Sequence, residues 1–369
     1  MDNLKKTPFY ETHLKYGGKI IDFAGWALPV HFKKSIIEEH HATRNAATLF
    51  DVSDMGELLV TGKDALPMLQ KLLVNDIAKG KPGRVIYSPM CNPQGGCVDD
   101  LMVCCYSTEH YLLVINAGNI QKDFDWVTKV AADFDEVCVK NLSDETAQVA
   151  IQGPKSEAIL QRITNAQLSE LKYYRFIDDV QVAGKKSMIS RTGYTGEDGF
   201  EVYCSPEDGP ALWDAIIEAG EADGLIPAGL GCRDTLRFEA SMPLYGQELD
   251  DVRGPIEAGL SKFVAFKKPD FIGRDVLLKQ REDGPSVVLV GFEMVGRGIA
   301  RTGYPILKEG GKVGYVTTGS FAPTVGKNLG MGYVTPELAE VGTEFDVEIR
   351  GKAVQARVIP MPFYKKGAK

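Results

Sequence analysis

The chain has 369 residues, of which 44% are hydrophobic and 25% charged. This is ordinary globular composition, and the length exceeds what one hydrophobic core usually supports, so two or three domains are expected. The 42 Lys and Arg residues against 50 Asp and Glu residues give a net charge of −8. An acidic chain does not attract phosphate backbones, which argues against nucleic acid as a partner.

The start of the chain and its cysteines indicate where the protein works. The first ten residues lack the apolar segment of a secretory signal, and no stretch approaches the roughly 20 apolar residues that cross a bilayer. The 7 cysteines include no CxxC pair, so neither a zinc site nor a thioredoxin-like site is indicated. We therefore expect a cytoplasmic protein with reduced cysteines and no membrane partner.

The predicted elements of the first half have the order of a ferredoxin-like unit, β-α-β-β-α-β, with one extra strand. Before this unit, Ser35 and Glu38 form a capping box, which predicts a helix from Ile36 to about Ala47. Hydrophobic periodicity then predicts strands over 56–61, 84–90, 98–106, 111–116 and 136–140, and helices over 63–73 and 119–134.

A similar order of elements follows and predicts a second, pseudo-repeated α+β half. The predicted strands are 148–152, 180–183, 187–191 and 200–204, and the predicted helices are 154–163 and 210–222. After Gly284-Pro285, only strand patterns occur, over 286–294, 312–318, 330–335 and 345–359. Alternation around Gly351-Lys352 indicates a hairpin, so the end of the chain is predicted to form a small all-β domain.

Motif searches exclude several kinds of enzyme. Neither a Walker A motif nor a GxGxxG after a strand occurs, which argues against nucleotide, nicotinamide and flavin sites. His40 and His41 are neighbours on a predicted helix and point in different directions, so they do not suit one metal ion. No GxSxG elbow is present. An enzyme with this sequence would depend on carboxylates and on positioning.

Two Gly-rich stretches carry candidate carboxylates. In residues 84–101, a turn is followed at once by Asp99 and Asp100, which point to opposite faces of a strand, so at most one enters a given pocket. Acids in an apolar strand are costly unless they have a function, although an Asp that caps the turn is the alternative. Residues 190–201 combine three glycines with Tyr194 and Glu201, and this pattern suits either a flat ligand or a tight surface hairpin.

Two further stretches concentrate charge and glycine. In residues 228–250, Arg233 and Arg237 lie four positions apart on one helical face, which suits an internal ion-pair network or an anion clamp. Residues 317–332 are rich in glycine, which is also typical of turns. Spacing alone leaves these alternatives open.

These four stretches resemble the signature segments of the glycine cleavage T-protein (aminomethyltransferase) family, in the same order and at similar separations. Four more segments match the family: IDFAGWALP at 21–29, FDVSDMG at 50–56, NAGNIQKD at 116–123 and IQGP at 151–154. The resemblance covers about residues 7–364. One departure is Asp54, where the family usually has His.

The resemblance implies an α+β fold arranged as a three-domain cloverleaf, with two ferredoxin-like pseudo-repeats and a C-terminal all-β domain of Greek-key or barrel type. We expect a folate-binding domain over 1–50 and 140–245, a second α+β domain over 51–139 and 246–283, and the all-β domain over 284–369.

The family relation also implies the reaction and its site. Family members transfer the methylene of the aminomethyl group on lipoyl H-protein to tetrahydrofolate, and they work with the glycine decarboxylase and dihydrolipoyl dehydrogenase components. By resemblance, Asp100 is the catalytic carboxylate, with Asp99 the weaker candidate. Glu201 would accept the amidine-like edge of the pterin, with Glu197 the weaker candidate. Other residues implied near the ligand are Tyr87, Asn116, Tyr194 and Arg233. No metal, flavin or nicotinamide is implied.

Three rivals from the same superfamily remain. A non-catalytic folate-binding protein of iron–sulfur assembly carries KGCYxGQE, whereas this chain has SMPLYGQE at 241–248 and lacks the Cys. A sarcosine or dimethylglycine oxidoreductase module belongs with a fused flavin domain, for which no fingerprint occurs here. A folate-dependent demethylase of a small methylated substrate would have similar core motifs. Aminomethyl transfer is the favoured reading.

Overall fold

The computed structural model describes residues 3–367, and the chain divides into two compact units. Within the described residues, the first unit contains 3–70, 77–87 and 101–236, and the second contains 71–76, 88–100 and 237–367. The ends of the first and last domains expected from the sequence, residues 1–2 and 368–369, lie outside the described residues. The three-domain boundaries themselves stay a prediction.

Helices and strands alternate through the first two thirds of the chain, and strands dominate the last third. The helices are α1 Tyr10–Lys15, α2 Ile36–Asn45, α3 Ala65–Leu72, α4 Ile120–Ala131, α5 Ser156–Gln161, α6 Gly209–Gly220, α7 Leu230–Glu239 and α8 Arg274–Asp283. The strands up to residue 141 are β1 Ile20–Phe23, β2 Trp26–Pro29, β3 Thr48–Asp51, β4 Gly56–Thr61, β5 Arg84–Cys91, β6 Cys97–Ser107, β7 His110–Ile115 and β8 Cys138–Asn141. The later strands are β9 Ala147–Gln152, β10 Phe176–Val182, β11 Lys185–Ser190, β12 Gly199–Cys204, β13 Ile226–Pro227, β14 Val288–Met294, β15 Pro305–Lys308, β16 Gly311–Ala322, β17 Lys327–Val334, β18 Glu344–Ile349 and β19 Lys352–Ile359.

A six-stranded sheet forms the centre of the first unit, in the order β10-β11-β12-β9-β3-β13. Its pairs are antiparallel except for the parallel β13–β3 pair. Strand β9 (AQVAIQ) is buried along its whole length, as expected of a central strand covered on both faces. One face packs against α5 and α6, where Leu212, Trp213 and Ile216 are fully buried.

A second sheet has the order β5-β6-β7-β4-β8. A cluster of buried side chains within the first unit packs residues of β5, β6 and β7 against residues of β10–β12. Its members include Val85, Cys104 and Val114 from one sheet and Met188 and Tyr203 from the other. The first unit therefore has a hydrophobic layer between its two sheets, next to the residues of the candidate site on β12.

The second unit contains a closed six-stranded barrel, in which β14-β17-β16-β15-β18-β19 are followed by pairing of β19 back to β14. Phe292 and Phe345 fill its interior, with their ring centroids 5.4 Å apart. Closure pairs both edges of the sheet, which removes the unpaired edge that an open sheet would expose. The α+β fold class with a C-terminal all-β barrel is thus confirmed.

Most predicted elements lie where the periodicity put them, and the capping box of Ser35 and Glu38 is formed as expected. The structure also contains short strands that the periodicity does not predict, β1, β2, β3, β13 and β15, and two further helices, α1 and α8. The strands missed are four residues long or shorter, which is too short for a period of two to stand out.

Candidate active site

Glu201 lies at the centre of a polar cluster on β12, where it pairs with Ser190 of β11 and Ala150 of β9. Its neighbours Phe200 and Val202 are fully buried in the core, so alternation along the strand turns Glu201 to the opposite face. The side chain is half-buried. Thr192 donates its hydroxyl hydrogen bond to Oε2 of Glu201, and the Thr192 and Ser190 hydroxyls are 2.6 Å apart.

Burial raises the pKa of Glu201 above its ordinary range, because a charged carboxylate loses hydration there. The hydrogen bond from Thr192 and the charge of Arg233 oppose that rise. A carboxylate with two oxygens has about four acceptor positions, and Thr192 occupies one on Oε2. Glu201 therefore retains acceptor positions for a donor edge of a ligand.

Arg233 and Tyr194 form a second part of the cluster. The Arg233 guanidinium carbon lies 5.3 Å from the centre of the Tyr194 ring, within the range of a cation–π interaction. Nη2 of Arg233 lies 3.9 Å from Sδ of Met55. Within residues 3–367, no carboxylate oxygen comes within 4.0 Å of the guanidinium nitrogens, although its charge lowers the pKa of both Glu201 and Asp54. The guanidinium thus keeps donors available for a ligand.

The loop between β11 and β12, which carries Tyr194, is held by Gln152 at the end of β9. Nε2 of Gln152 donates to the Thr192 carbonyl at 3.0 Å, and the Thr195 hydroxyl donates to Oε1 of Gln152 at 2.9 Å. The backbone of Gly193 passes so close that an added Cβ would lie 1.9 Å from Oε1 of Gln152. Glycine is required there for close approach rather than for a special backbone angle. The sequence indicates Gln152 only as part of the segment IQGP at 151–154, because its role depends on contacts with residues 40 or more positions away.

Glu197, the weaker candidate for the pterin edge, is engaged in a buried ion pair. Nη1 of Arg44 lies 3.0 Å from Oε1 of Glu197, and the two side chains are 5% and 3% exposed. The same nitrogen donates to the Thr195 carbonyl at 2.7 Å. Sequence patterns did not reveal Arg44, because a charged residue on a surface-type helix gives no sign of its burial. Of the two glutamates, Glu201 is the more exposed, and its pKa, which burial raises, is lowered in part by the charge of Arg233.

Two carboxyl groups close to this cluster are buried without a side-chain hydrogen-bond partner in another residue of the described chain. Asp54 and Glu57 are each 1% exposed, and within the described chain neither finds a side-chain hydrogen-bond partner in another residue. Burial raises the pKa of Asp54 to about 6, with repulsion from Asp51 adding to the rise and Arg233 opposing it. Burial and the nearby Asp54 raise the pKa of Glu57 well above its ordinary range. The departure from the family at position 54 therefore lies beside the candidate site.

Tyr87 and Asn116 lie on or directly after strands of the five-stranded sheet, in its part that belongs to the first unit. Tyr87 is half-buried on β5, and Asn116 is half-buried directly after β7, where its carbonyl accepts from the Asn119 N–H. The structure therefore brings Glu201, Tyr194 and Arg233 together, and puts Tyr87 and Asn116 in the same unit.

Asp99 and Asp100 lie on β6 in the part that belongs to the second unit. Asp99 is fully buried and Asp100 is half-buried, so the two carboxylates have different surroundings, as the strand period requires. In the preceding turn, Oδ1 of Asn92 accepts hydrogen bonds from the N–H groups of Gln94 and Gly96 at 2.9 and 3.1 Å.

The two arginines of α7 have different roles. Arg237 belongs to the second unit, where it is 2% exposed and pairs with Glu248 at 2.9 Å. Thr318 donates to the other oxygen of Glu248 at 2.6 Å and accepts from Nη2 of Arg237 at 3.1 Å. For Arg237 the internal ion-pair network is therefore correct, and the Gly-rich stretch 317–332 contributes Thr318 to it. Arg233 remains the candidate for a ligand.

Within residues 3–367, no group of three or more His, Cys, Asp or Glu side chains has the geometry to hold a metal ion. A search of the same residues finds no helix with both the length and the apolar character that a membrane span needs.

Comparison with known proteins identifies the family. A family model described as the GCVT N-terminal domain matches residues 9–268, and the glycine cleavage T-protein C-terminal barrel domain matches residues 288–365. The aminomethyltransferases of Caldanaerobacter subterraneus subsp. tengcongensis and Bacillus subtilis are 54% and 53% identical, over 100% and 98% of this chain and 98% and 100% of theirs. The crystal structure of glycine cleavage system aminomethyltransferase T from Bartonella henselae is 34% identical, with a TM-score of 0.92 over 98% of this chain and 99% of that one. The resemblance drawn from the motifs is confirmed, and the chain belongs to the glycine cleavage T-protein family of aminomethyltransferases.

Proposed function

We propose that this aminomethyltransferase moves the methylene of an aminomethyl group from lipoyl H-protein to tetrahydrofolate. The carbon forms bonds to N5 and N10 of folate while its bonds to sulfur and to the amine nitrogen break. The hydrogens of N5 and N10 leave with the sulfur and the amine, so the products are 5,10-methylene-tetrahydrofolate, ammonia and dihydrolipoyl H-protein. The observation that carries the proposal is the cluster of Glu201, Tyr194 and Arg233 in a chain of this family.

In this proposal Glu201 binds the amidine-like edge of the pterin. Its acceptor positions match neighbouring N–H donors, and a hydrogen bond to a charged group is worth about 1.5–3 kcal/mol. Tyr194 and Tyr87 offer aromatic faces to a flat ring, worth of order 1 kcal/mol each beyond the area they bury. Asn116 supplies an amide near the ring. Arg233 retains donors for a ligand anion or for orienting Glu201.

Asp100 is the proposed catalytic carboxylate. Positive charge develops near the transferred carbon and on N5, and a fixed carboxylate stabilises it or accepts a proton. Asp100 is half-buried, whereas its neighbour Asp99 is fully buried. Partial exposure gives Asp100 a surface that a substrate can reach, which favours it over Asp99. Much of the rate is expected to come from holding the lipoyl methylene against folate.

The proposal includes partners and location. Tetrahydrofolate is the acceptor substrate of the aminomethyltransferase family. We propose lipoylated H-protein as the direct partner, with functional links to the glycine decarboxylase and dihydrolipoyl dehydrogenase components. We propose that the protein uses no metal, flavin or nicotinamide cofactor and has no nucleic-acid or membrane partner. We also propose that it works in the cytoplasm, in one-carbon metabolism and glycine catabolism.

The test measures methylene-tetrahydrofolate and ammonia formed from aminomethylated lipoyl H-protein and tetrahydrofolate. The wild type should give both products in equal amounts, and Asp100→Asn should lower turnover by about 10²- to 10⁴-fold with folate binding retained, as expected for a lost acid–base group. Asp135→Asn, at an exposed aspartate, is the matched control. Full turnover by Asp100→Asn would refute the catalytic assignment, and folate binding without either product would refute the reaction.

Glu201→Gln tests the pterin contact separately. Loss of a charged acceptor should weaken tetrahydrofolate binding about 10- to 100-fold, since about 1.4 kcal/mol corresponds to tenfold. Titration calorimetry measures this change directly. Unchanged affinity would move the pterin contact to another residue.

A further inference from the structure

Helix α2 contacts both elements that carry the Arg233–Tyr194 pair. Arg233 lies on α7, and Tyr194 lies in the loop between β11 and β12. Two charged residues of α2, Glu39 and Arg44, are buried although the helix has the composition of a surface helix. Burying a charge is costly unless it is paired, so each of them should have a specific partner.

Glu39 joins the start of α7 to the loop after β2. Its Oε1 accepts from the Phe32 N–H at 2.6 Å, and its Oε2 accepts from the Gly229 N–H at 3.0 Å. Gly229 directly precedes α7, and the Gly231 N–H donates to the Val30 carbonyl at 2.9 Å. Glu39 is fully buried, and burial raises its pKa to about 7, a rise that the two N–H groups oppose. One carboxylate therefore fixes where α7 begins.

Arg44 joins the Tyr194 loop to the middle of α7. It donates to the Thr195 carbonyl at 2.7 Å and to Glu197 at 3.0 Å, while its Nη2 lies 3.5 Å from the Leu236 carbonyl. A planar guanidinium holds several acceptors in a fixed geometry, which an ammonium group does not. Because Thr195 follows Tyr194 in the chain, this contact sets where the tyrosine ring lies relative to α7.

We propose that Glu39 and Arg44 are positioning residues that hold Arg233 and Tyr194 in place for tetrahydrofolate. The inference rests on the proposed function, in which Arg233 and Tyr194 face the ligand. The two residues act through the backbone at Gly229 and Thr195 and do not themselves touch substrate. Loosening either contact should therefore change ligand affinity more than the chemical step.

The test compares Glu39→Gln and Arg44→Lys with the wild type. Glutamine keeps the size of Glu39 but loses one acceptor, and lysine keeps the charge of Arg44 but loses the planar fork. We expect the Kd of tetrahydrofolate to rise about tenfold in each, which is about 1.4 kcal/mol. The kcat at saturating substrates should stay within about twofold, because a positioning loss falls on KM. If Glu39→Gln does not fold, Arg44→Lys alone tests the positioning role.

The matched control is Ser35→Ala, which removes the N-cap of the same helix without touching the contacts to Gly229 or Thr195. It should lower the melting temperature and leave the Kd of tetrahydrofolate unchanged. A double-mutant cycle adds a measurement of coupling between two residues, which a general loss of stability does not affect. If Glu39 acts through Arg233, adding Glu39→Gln to Arg233→Ala should raise the Kd no further.

Three results would overturn the inference: wild-type affinity in both single variants, full additivity in the cycle, or equal weakening by Ser35→Ala. A wild-type protein that does not bind tetrahydrofolate would instead refute the proposed function, so the two failures are distinguishable. Wild-type binding, weakened in Glu39→Gln and Arg44→Lys but not in Ser35→Ala, would support the positioning role.

Discussion

Replacing Asp54 with asparagine should stabilise the protein at neutral pH and have little effect in acid. Asp54 is 1% exposed, and its carboxylate oxygens have no hydrogen-bond partner in another residue of the described chain. Burial is the first cause that raises its pKa to about 6, and repulsion from Asp51 adds to it, while Arg233 and His13 act in the opposite direction. The native structure therefore resists ionisation of this group, which asparagine avoids.

The magnitude follows from the difference between the pKa in the folded and unfolded states. The pKa rises from 3.8 to about 6, and since a tenfold change in proton affinity is worth about 1.4 kcal/mol, ionising Asp54 costs the fold about 3 kcal/mol. Because the pKa of Asp54 is raised in the folded state, the contribution of this group to stability is fully present below pH 3.8 and is lost as pH rises through about 6. The gain from Asp54→Asn should accordingly be near zero below about pH 4, grow up to about pH 6 and remain constant above it.

Urea unfolding of the wild type and of Asp54→Asn between pH 4 and pH 8 measures the difference in their free energies of unfolding. Asp135→Asn, at an exposed position, is the control and should show no such pH-dependent gain. The reasoning would be refuted if the stability difference between Asp54→Asn and the wild type were the same at pH 4 and pH 8. It would also be refuted if Asp54→Asn were less stable than the wild type at pH 8.

Two further predictions concern the second unit. Arg237→Met should lower the free energy of unfolding by about 3–5 kcal/mol, because it leaves Glu248 buried without its cation, and the double variant with Glu248→Gln should recover part of that loss in urea unfolding. A double variant that is no more stable than Arg237→Met would contradict the ion-pair explanation. Gly96→Ala should cost about 1–3 kcal/mol in thermal unfolding, because an added Cβ would lie 1.9 Å from the Asp251 carbonyl oxygen and the hairpin must shift. An unchanged melting temperature would show that the hairpin accommodates the methyl group without cost.

Local sequence patterns predicted most of the regular structure. The capping box of Ser35 and Glu38 begins α2 as expected, since both partners of a capping box lie within one turn. The predicted hairpin around Gly351-Lys352 joins β18 and β19 as expected, because turn residues and alternation act over a few positions. Helix α8 was missed because its apolar residues are few and only Leu277 is buried.

The candidate site was predictable in part. Motif resemblance named Glu201, Tyr194 and Arg233 as neighbours of one ligand, and the structure brings these three together. Resemblance did not reveal which charged residues are buried in structural contacts. Arg237 and Glu197 have the same residue types and sit in the same stretches as the candidates, yet each is used in a buried ion pair.

The sequence by itself determined the kinds and order of most elements and the family, because periodicity, capping and motifs are encoded over short distances. Only the tertiary structure decided the environment of each charge. Glu39 and Asp54 are both fully or almost fully buried carboxyl groups, but Glu39 accepts two backbone N–H groups and Asp54 finds no partner in another residue within the described chain. That difference depends on groups distant in the sequence, such as Gly229 and Arg233, because desolvation and Coulomb energies are set by distance in space.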